Sequence, residues 1–369
     1  MFGNSKQIVQ RILSKADVRI NGDRPWDIQV FDERLYSRVL AGGSLALGES
    51  YMDGWWGCKK LDQFFTKILR AGLDRKVNIH IIWRFIKAKL TNAQRSKAYN
   101  IGKRHYDKGN ELYKRMLDKG MNYSCGYWKN AKTLYQAQKA KLKLICKKIG
   151  LKHGMTVLDI GSGWGGFAKY AAEKYKARVL GITVSKEQAA LSKELCKGLP
   201  VEIRLQDYRT LNEKFDRIVS IGMVEHVGYK NYRTFMRVVN RCLKPDGIFL
   251  LHTIASNLSR TTGDPWMDKY IFPDGMIPSI KQFGKATEGL FVMEDWHNFG
   301  ADYDKTLMAW HKNFTKNWDK IKDEYDKRFY RMWTYYLLSC AGASRARRNQ
   351  LWQIVFSKKG VEGGYKSVR

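Results

Sequence analysis

The feature that most limits what this chain can fold into is an alternation that begins near residue 132. QAQKAKLKLICKKIG reads as a helix with a glycine end, MTVLDIG as a strand and GFAKYAAEKY as a helix. ARVLGITVS, VEIRLQD, FDRIVSIGMV and GIFLLHTI read as further strands, with EQAALSKELCKG and YRTFMRVVNRCLK as helices between them. FVMED is one more strand, and QLWQIVFSKK, near the end, reads as a final edge strand. Apolar strands separated by helices imply a parallel sheet covered on both faces. The expected fold class is therefore α/β, with a Rossmann-like sheet between helical layers.

At 369 residues the chain exceeds the usual size of one domain. Its N-terminal part lacks the alternation. Residues 4–16 read as a short amphipathic helix, Asn21-Gly22 as a turn, Ile28–Val30 as a short strand and 33–40 as a helix. AGGSLALGESYMDGWW is broken by glycines and rich in aromatics, and residues 61–71 are helical again. In DRKVNIHIIWRFIKAKL, Val77, Ile81, Ile82, Phe85 and Ile86 share one helix face, with Arg84, Lys87 and Lys89 mostly off it. Such a basic amphipathic helix suits an anionic membrane surface, or packing on its own domain. Residues 91–103 are polar and basic and read as a linker. The expected division is a small N-terminal domain at 1–90, the linker, and a catalytic domain at 104–369.

Lys and Arg number 67 against 35 Asp and Glu, a formal net charge of +32. That excess speaks of partners: nucleic acid, an anionic membrane surface or an acidic ligand. No recognisable RNA-binding module accompanies it, so no nucleic acid is expected. No signal-peptide core is present at the N-terminus, and no apolar run approaches the roughly 18 residues of a membrane span. The expected location is cytoplasmic, with any membrane contact peripheral. The six cysteines are scattered, without a C-x-x-C pair or a zinc-like His cluster, and read as free thiols in a reducing compartment; no metal site is expected.

The first strand ends in LDIGSGWGG, where Gly161, Gly163 and Gly166 satisfy G-x-G-x-x-G. That pattern alone also fits a nicotinamide dinucleotide. Two features separate the readings. Asp159 stands at the strand end, placed to meet the cationic amino-acid end of S-adenosylmethionine. A dinucleotide site wants an acid about 20 residues on, whereas the second strand ends in Gly181-Ile182-Thr183-Val184-Ser185. The next ends in Gln206-Asp207-Tyr208, suited to bonding and packing against adenine. S-adenosylmethionine is the better reading.

Several segments carry a resemblance: SLALGESYMDGWW, KRHYDKGNELYKRMLD, MNYSCGYW, VLDIGSGWGGFA, DYRTLNEKFDRIVSIGMVEHVG, KPDGIFLLHTI, DPWMDKYIFPDG and VMEDWHNFGADYDKTLMAW. Over nearly its whole length the chain resembles the bacterial cyclopropane-fatty-acyl-phospholipid synthases. The related mycolic-acid methyltransferases are less similar in the N-terminal portion. Ser162 stands where the family often has Cys.

The resemblance implies a class I methyltransferase sheet preceded by a lipid-binding domain, and it implies a homodimer. It implies methyl transfer from S-adenosylmethionine to the cis double bond of a phospholipid acyl chain, ring closure through a carbocation, and S-adenosylhomocysteine as co-product. Bound bicarbonate is the base it implies, held among Cys125, Glu225, His252, Ile254 (through its N–H) and Tyr303. To the cofactor set of Asp159, Gly161 and Gly163 it adds Tyr123, Ser124, Thr183, Gln188, Asp207 and Tyr208. Thr183 and Gln188 also read as a helix cap and an ordinary helix residue.

These positions make sense in context. Glu225 and His226 follow the strand IVSIGMV and His252 ends LLHTI, at the carboxyl ends of parallel strands where such folds bind ligands. Cys125 belongs to a possible lid segment, and Tyr303 to a loop after FVMED. Glu225 has a rival role as the direct general base. His226 stays outside the catalytic set, and Cys340 is expected near the site. Two other readings remain: a methyltransferase acting on RNA or a lipid heteroatom, and a non-catalytic lipid-binding protein of the same fold.

Overall fold

The computed structural model describes residues 2–75 and 110–369, which group into two compact units. The amphipathic segment at 75–90, from residue 76 on, and the linker at 91–103 lie outside the described residues. The first unit takes the described residues up to 75 together with Thr261–Pro273 and Tyr303–Asn349. It contains helices Phe2–Ser14, Arg34–Met52, Leu61–Arg70, Pro265–Tyr270 and Lys327–Arg345, and a small antiparallel pair, β1 (Gln29–Val30) with β2 (Trp56–Gly57).

The helix expected at 33–40 runs on to Met52. Its glycines bend it rather than end it: Gly43 sits at φ 56°, ψ −134°, and the chain then resumes its helical course. The bend carries Gly48 against Trp266, where a Cβ would fall 2.3 Å from the indole. The core here is aromatic. Trp56 packs on Tyr51 and Phe64 at 5.2 and 5.4 Å, and Tyr335 meets Phe65 and Trp266 at 5.2 and 4.5 Å. Such pairs add about 0.5–1.5 kcal/mol each beyond the area they bury. Arg345 ties the unit together, bonding Asp62 at 2.5 Å and Asp304 at 2.8 and 2.9 Å.

The second unit holds the sheet: β3 (Thr156–Ile160), β4 (Arg178–Thr183), β5 (Val201–Leu205), β6 (Phe215–Ile221), β7 (Leu243–Ser256), β8 (Val292–Asn298) and β9 (Asn349–Ser357). The spatial order is β5-β4-β3-β6-β7-β9-β8. Neighbours from β5 to β7 are parallel, as the alternation predicts, while β8 and β9 pair antiparallel, so the sheet is mixed. The expectation of β9 as an edge strand is wrong. It lies between β7 and β8, with Gln350–Ser357 all buried, and an apolar run such as LWQIVF needs both faces covered. The edge on this side of the sheet is β8, whose Val292 and Met293 are exposed.

Successive strand residues divide between two cores. Leu158, Leu180, Ile218, Leu251 and Ile354 pack on one face with residues of helices Tyr232–Cys242 and Ile280–Thr287. Val157, Val179, Val219, Leu250 and Val355 pack on the other with residues of helices Leu134–Lys148 and Gly166–Tyr175. Because β4 and β6 flank β3, the chain reverses its direction of travel there. That opens a crevice at the carboxyl ends of β3 and β6, where open α/β sheets bind ligands.

Candidate active site

The crevice is shaped by the glycine turn. The N–H groups of Gly161 and Ser162 both donate to the Ile182 carbonyl, at 3.0 and 2.9 Å, which folds the turn onto β4. Gly161 takes φ +82°, and a Cβ there would lie 2.5 Å from the Met223 side chain. At Gly166 a Cβ would lie 2.6 Å from the Gly120 carbonyl, so glycine lets the start of helix Gly166–Tyr175 touch the segment leading to residues 121–124. Tyr123, Ser124, Asp159, Gly161, Gly163, Thr183, Gln188, Asp207 and Tyr208 all line the resulting pocket.

Asp159 is 1% exposed, and neither carboxylate oxygen has a hydrogen-bond partner among the described residues. Burial pushes its carboxyl up to about 7, against the opposing pull of the Lys141 charge. An orphaned buried acid in a pocket fits a cationic group of a ligand, and the α-ammonium of S-adenosylmethionine is such a group. Thr183 Oγ1 donates to Gln188 Oε1 at 2.9 Å and accepts from Ser185 N at 3.2 Å. The helix cap expected at Thr183 belongs to Ser185, whose Oγ accepts from Gln188 N at 3.3 Å. The Asp207 carboxylate, expected to face adenine, accepts from Arg209 through its backbone N at 2.9 Å and its guanidinium at 2.6–3.1 Å. Tyr208 packs edge-on to Phe235 at 5.4 Å, and burial pushes its phenol up to about 12.

A second cluster adjoins this pocket at the ends of β6 and β7. Glu225, in the short turn Val224–His226, is buried, and its Oε1 accepts the Ile254 N–H at 2.7 Å. Its Oε2 has no partner among the described residues, and burial pushes the carboxyl up to about 7. His252, on β7, is 1% exposed and driven well below 6.5 by burial, with the Lys141 and Lys148 charges adding to the effect. It is a neutral imidazole. Its Nδ1 lies 3.3 Å from the Gln353 side-chain amide, and its Nε2 lacks a partner among the described residues. Ile254's N–H, expected to face an anion, is taken by Glu225. Cys125 is buried and its thiol donates to the Gly126 carbonyl at 3.2 Å.

Tyr303 is not in a loop. It stands on helix Ala301–Lys316, in the first unit, with its ring edge-on to Trp310 at 6.0 Å. The helix begins at once because Asn298 Oδ1 accepts from Gly300 N at 3.0 Å and Phe299 N donates to the Leu351 carbonyl at 3.1 Å, fixing the chain just before it. Cys340 also belongs to the first unit, on helix Lys327–Arg345. His226, left out of the expected catalytic set, lines the cofactor pocket. The sequence reading missed Lys141, a fully buried cation that lines the same pocket. The signal that finds it is helical phase, since Lys141 shares the buried face of Ala137, Gln138 and Ile145.

Residues 93–354 match the family described as mycolic acid cyclopropane synthetase. The chain belongs to that family. Its members are S-adenosylmethionine-dependent methyltransferases, and this chain is an enzyme of that class. Cyclopropane-fatty-acyl-phospholipid synthase of Escherichia coli (strain K12) is 56% identical over 369 residues, covering 99% of this chain and 96% of its own length. Among solved family structures, the cyclopropane synthase MmaA2 from Mycobacterium tuberculosis has a TM-score of 0.67 at 30% identity, covering 70% of this chain and 98% of its own. Mycolic acid cyclopropane synthase CmaA1, complexed with SAH and CTAB, has a TM-score of 0.66 at 31% identity, covering 70% of this chain and 98% of its own.

Proposed function

We propose that this chain is a cyclopropane-fatty-acyl-phospholipid synthase that adds a methylene from S-adenosylmethionine across the cis double bond of an unsaturated phospholipid acyl chain. The observation that carries the reading is a set of buried polar groups without partners among the described residues: Asp159 in the cofactor pocket, and Glu225 Oε2 with His252 Nε2 beside it. Groups so placed cost free energy in the empty protein and fit a site built around ligands. The 56% identity to the Escherichia coli synthase supports the substrate class.

In this reading the alkene π electrons form a bond to the sulfonium methyl carbon, and the C–S electrons return to sulfur. A carbocation remains on the acyl chain. Loss of a proton from the transferred methyl frees the electron pair that closes the ring. An alkene is a poor nucleophile, so holding it against the methyl supplies much of the rate. Glu225 and His252 are buried, and keeping water from the cation prevents its capture as an alcohol.

The unpartnered Glu225 Oε2 and His252 Nε2 fit a small oxyanion that carries an OH group, and bicarbonate bound there would supply the base for the departing proton. Ile254 serves that site indirectly, because its N–H fixes Oε1 and leaves Oε2 for the anion. The family resemblance adds Cys125 and Tyr303 to the set. A neutral His252 can hydrogen-bond there without bringing a second cation to a carbocation site.

No helix among the described residues is long and apolar enough to cross a membrane. The net charge of +32 supports docking on an anionic membrane surface, where each basic residue contributes about 1 kcal/mol. The chain is then a peripheral enzyme of the cytoplasmic face, its N-terminal part meeting lipid, and the resemblance makes it a homodimer. The test is expression in bacteria that lack such an enzyme, followed by fatty-acid analysis. Acyl chains that gain one CH2 and lose the double bond are expected. An unchanged profile from folded, cofactor-binding protein would overturn the reading.

A further inference from the structure

Lys141 is buried in the second unit without an ion-pair contact among the described residues. Its ammonium donates to Asn122 Oδ1 at 3.3 Å and Ser124 Oγ at 2.8 Å, both neutral acceptors. Burial lowers its amine to about 8, with Asp118, Cys125 and Asp159 opposing the shift. Buried charges of this kind can often be replaced by apolar side chains without loss of stability. The ligand-free fold therefore gives little reason for a charge at this place.

The surrounding bonds have a fixed direction. Asp118 accepts from Asn122 Nδ2 at 3.2 and 3.3 Å and from the Asn122 backbone N at 3.0 Å. That leaves Asn122 Oδ1 as the group turned to Lys141. On the same helix, Gln138 Nε2 donates to the carbonyls of Ser124 at 2.7 Å and Asn122 at 3.4 Å. One helix face thus grips the 122–124 segment by side chain and backbone together. An ammonium can only donate, so Ser124 Oγ accepts from Lys141 and its own hydrogen must go elsewhere. Ser124 lines the cofactor pocket, as do Lys141 and the unpartnered Asp159.

We infer that Lys141 is a positioning residue that turns the Ser124 hydroxyl into a donor for a ligand carboxylate, so that Ser124 and Asp159 together recognise the zwitterionic amino-acid end of the methyl donor. The inference rests on the reading of this pocket as the S-adenosylmethionine site. Asp159 receives the α-ammonium. Ser124, polarised by the cation behind it, receives the α-carboxylate. The opposed charges of Lys141 and Asp159 also set the ligand's direction in the pocket, since reversing the amino-acid end would set like charges together.

The test compares two ligands by calorimetry on the full-length protein. S-adenosylhomocysteine carries the zwitterion; 5′-methylthioadenosine keeps the adenosine and thioether but lacks it. Lys141→Met should weaken S-adenosylhomocysteine by about ten- to hundredfold, the loss of one charge-assisted contact, and leave 5′-methylthioadenosine unchanged. Ser124→Ala should do the same, and adding Lys141→Met to it should cost nothing more. Equal weakening of both ligands, no weakening of S-adenosylhomocysteine, or full additivity of the two substitutions would overturn the inference. If Lys141→Met does not fold, Ser124→Ala still decides, because the selective loss must appear there. Failure of the wild-type protein to bind either ligand would instead overturn the cofactor reading.

Discussion

Replacing Asp159 by asparagine should make the ligand-free protein more stable and at the same time unable to hold its methyl donor. The carboxyl is 1% exposed, lacks a partner among the described residues, and is pushed from 3.8 to about 7 by burial. At about 1.4 kcal/mol per pH unit that gap corresponds to about 4 kcal/mol. Asparagine keeps the shape without the charge. Lys141 then loses an opposite charge nearby, which takes back part of the gain, so the net stabilisation is about 1–3 kcal/mol.

The sign depends on pH. Below 3.8 the carboxyl is protonated in folded and unfolded chains alike, and the substitution changes little. Between 3.8 and about 7 the unfolded chain has released a proton that the folded chain keeps, so wild-type stability falls as pH rises and that of the variant does not. Above about 7 the difference is complete. Thermal melts across this range, with and without S-adenosylhomocysteine, read both effects. Without ligand the variant should melt higher on the alkaline side. With ligand the order should invert, because only the wild type gains from binding. A variant that melts lower without ligand at about pH 8, or that keeps its affinity for S-adenosylhomocysteine, would refute the role of Asp159 as an acid held unpaired for its ligand.

Glu225→Gln keeps the acceptor for Ile254 N–H but puts an NH2 where Oε2 faces the second cluster. Turnover should fall by about a hundredfold or more, read from ring formation in vesicle lipids, while calorimetry shows unchanged affinity for S-adenosylhomocysteine; equal loss of both would assign a structural role. Gly166→Ala should push helix Gly166–Tyr175 off the Gly120 carbonyl, which a Cβ would approach to 2.6 Å. It should lower stability by about 1–3 kcal/mol and weaken S-adenosylhomocysteine, and an unaltered melt would sink the close-approach argument. Changing Arg84, Lys87 and Lys89 together to Glu should weaken binding to anionic vesicles, at about 1 kcal/mol per basic residue removed; unchanged co-sedimentation would remove this segment from the docking surface.

The sheet and the pocket were legible for one physical reason: both are written in local pattern. Val157-Leu158, Val179-Leu180 and Leu250-Leu251 are apolar on both faces, as a doubly covered strand must be, and the glycine turn is a local backbone requirement. What was not legible depends on distant partners. The place of β9 between β7 and β8 is set by pairing across more than fifty residues, and only its largely apolar run hinted that it is not an edge. The loop expected at Tyr303 is a helix because Phe299 N and Gly300 N are satisfied just before it.

Lys141 shows where composition misleads and phase would not. KAKLKLICKK looks like a uniformly basic surface, yet Lys139, Lys143 and Lys147 are exposed while Lys141 and Lys148 are buried. The exposed three recur every fourth residue and mark the solvent stripe. The other two fall among Ala137, Gln138, Ile145 and Ile149, on the core side. The two buried lysines then differ in partner. Lys148 meets Asp295 at 3.1 Å, a buried ion pair that stabilises one structure. Among the described residues, Lys141 meets only an amide oxygen and a hydroxyl, on a segment that lines the pocket. A cation buried against neutral acceptors, beside an acid with no partner among the described residues, has its electrostatics completed by what enters the pocket. That is why helical phase can identify the residue, but only the bonding around it identifies its task.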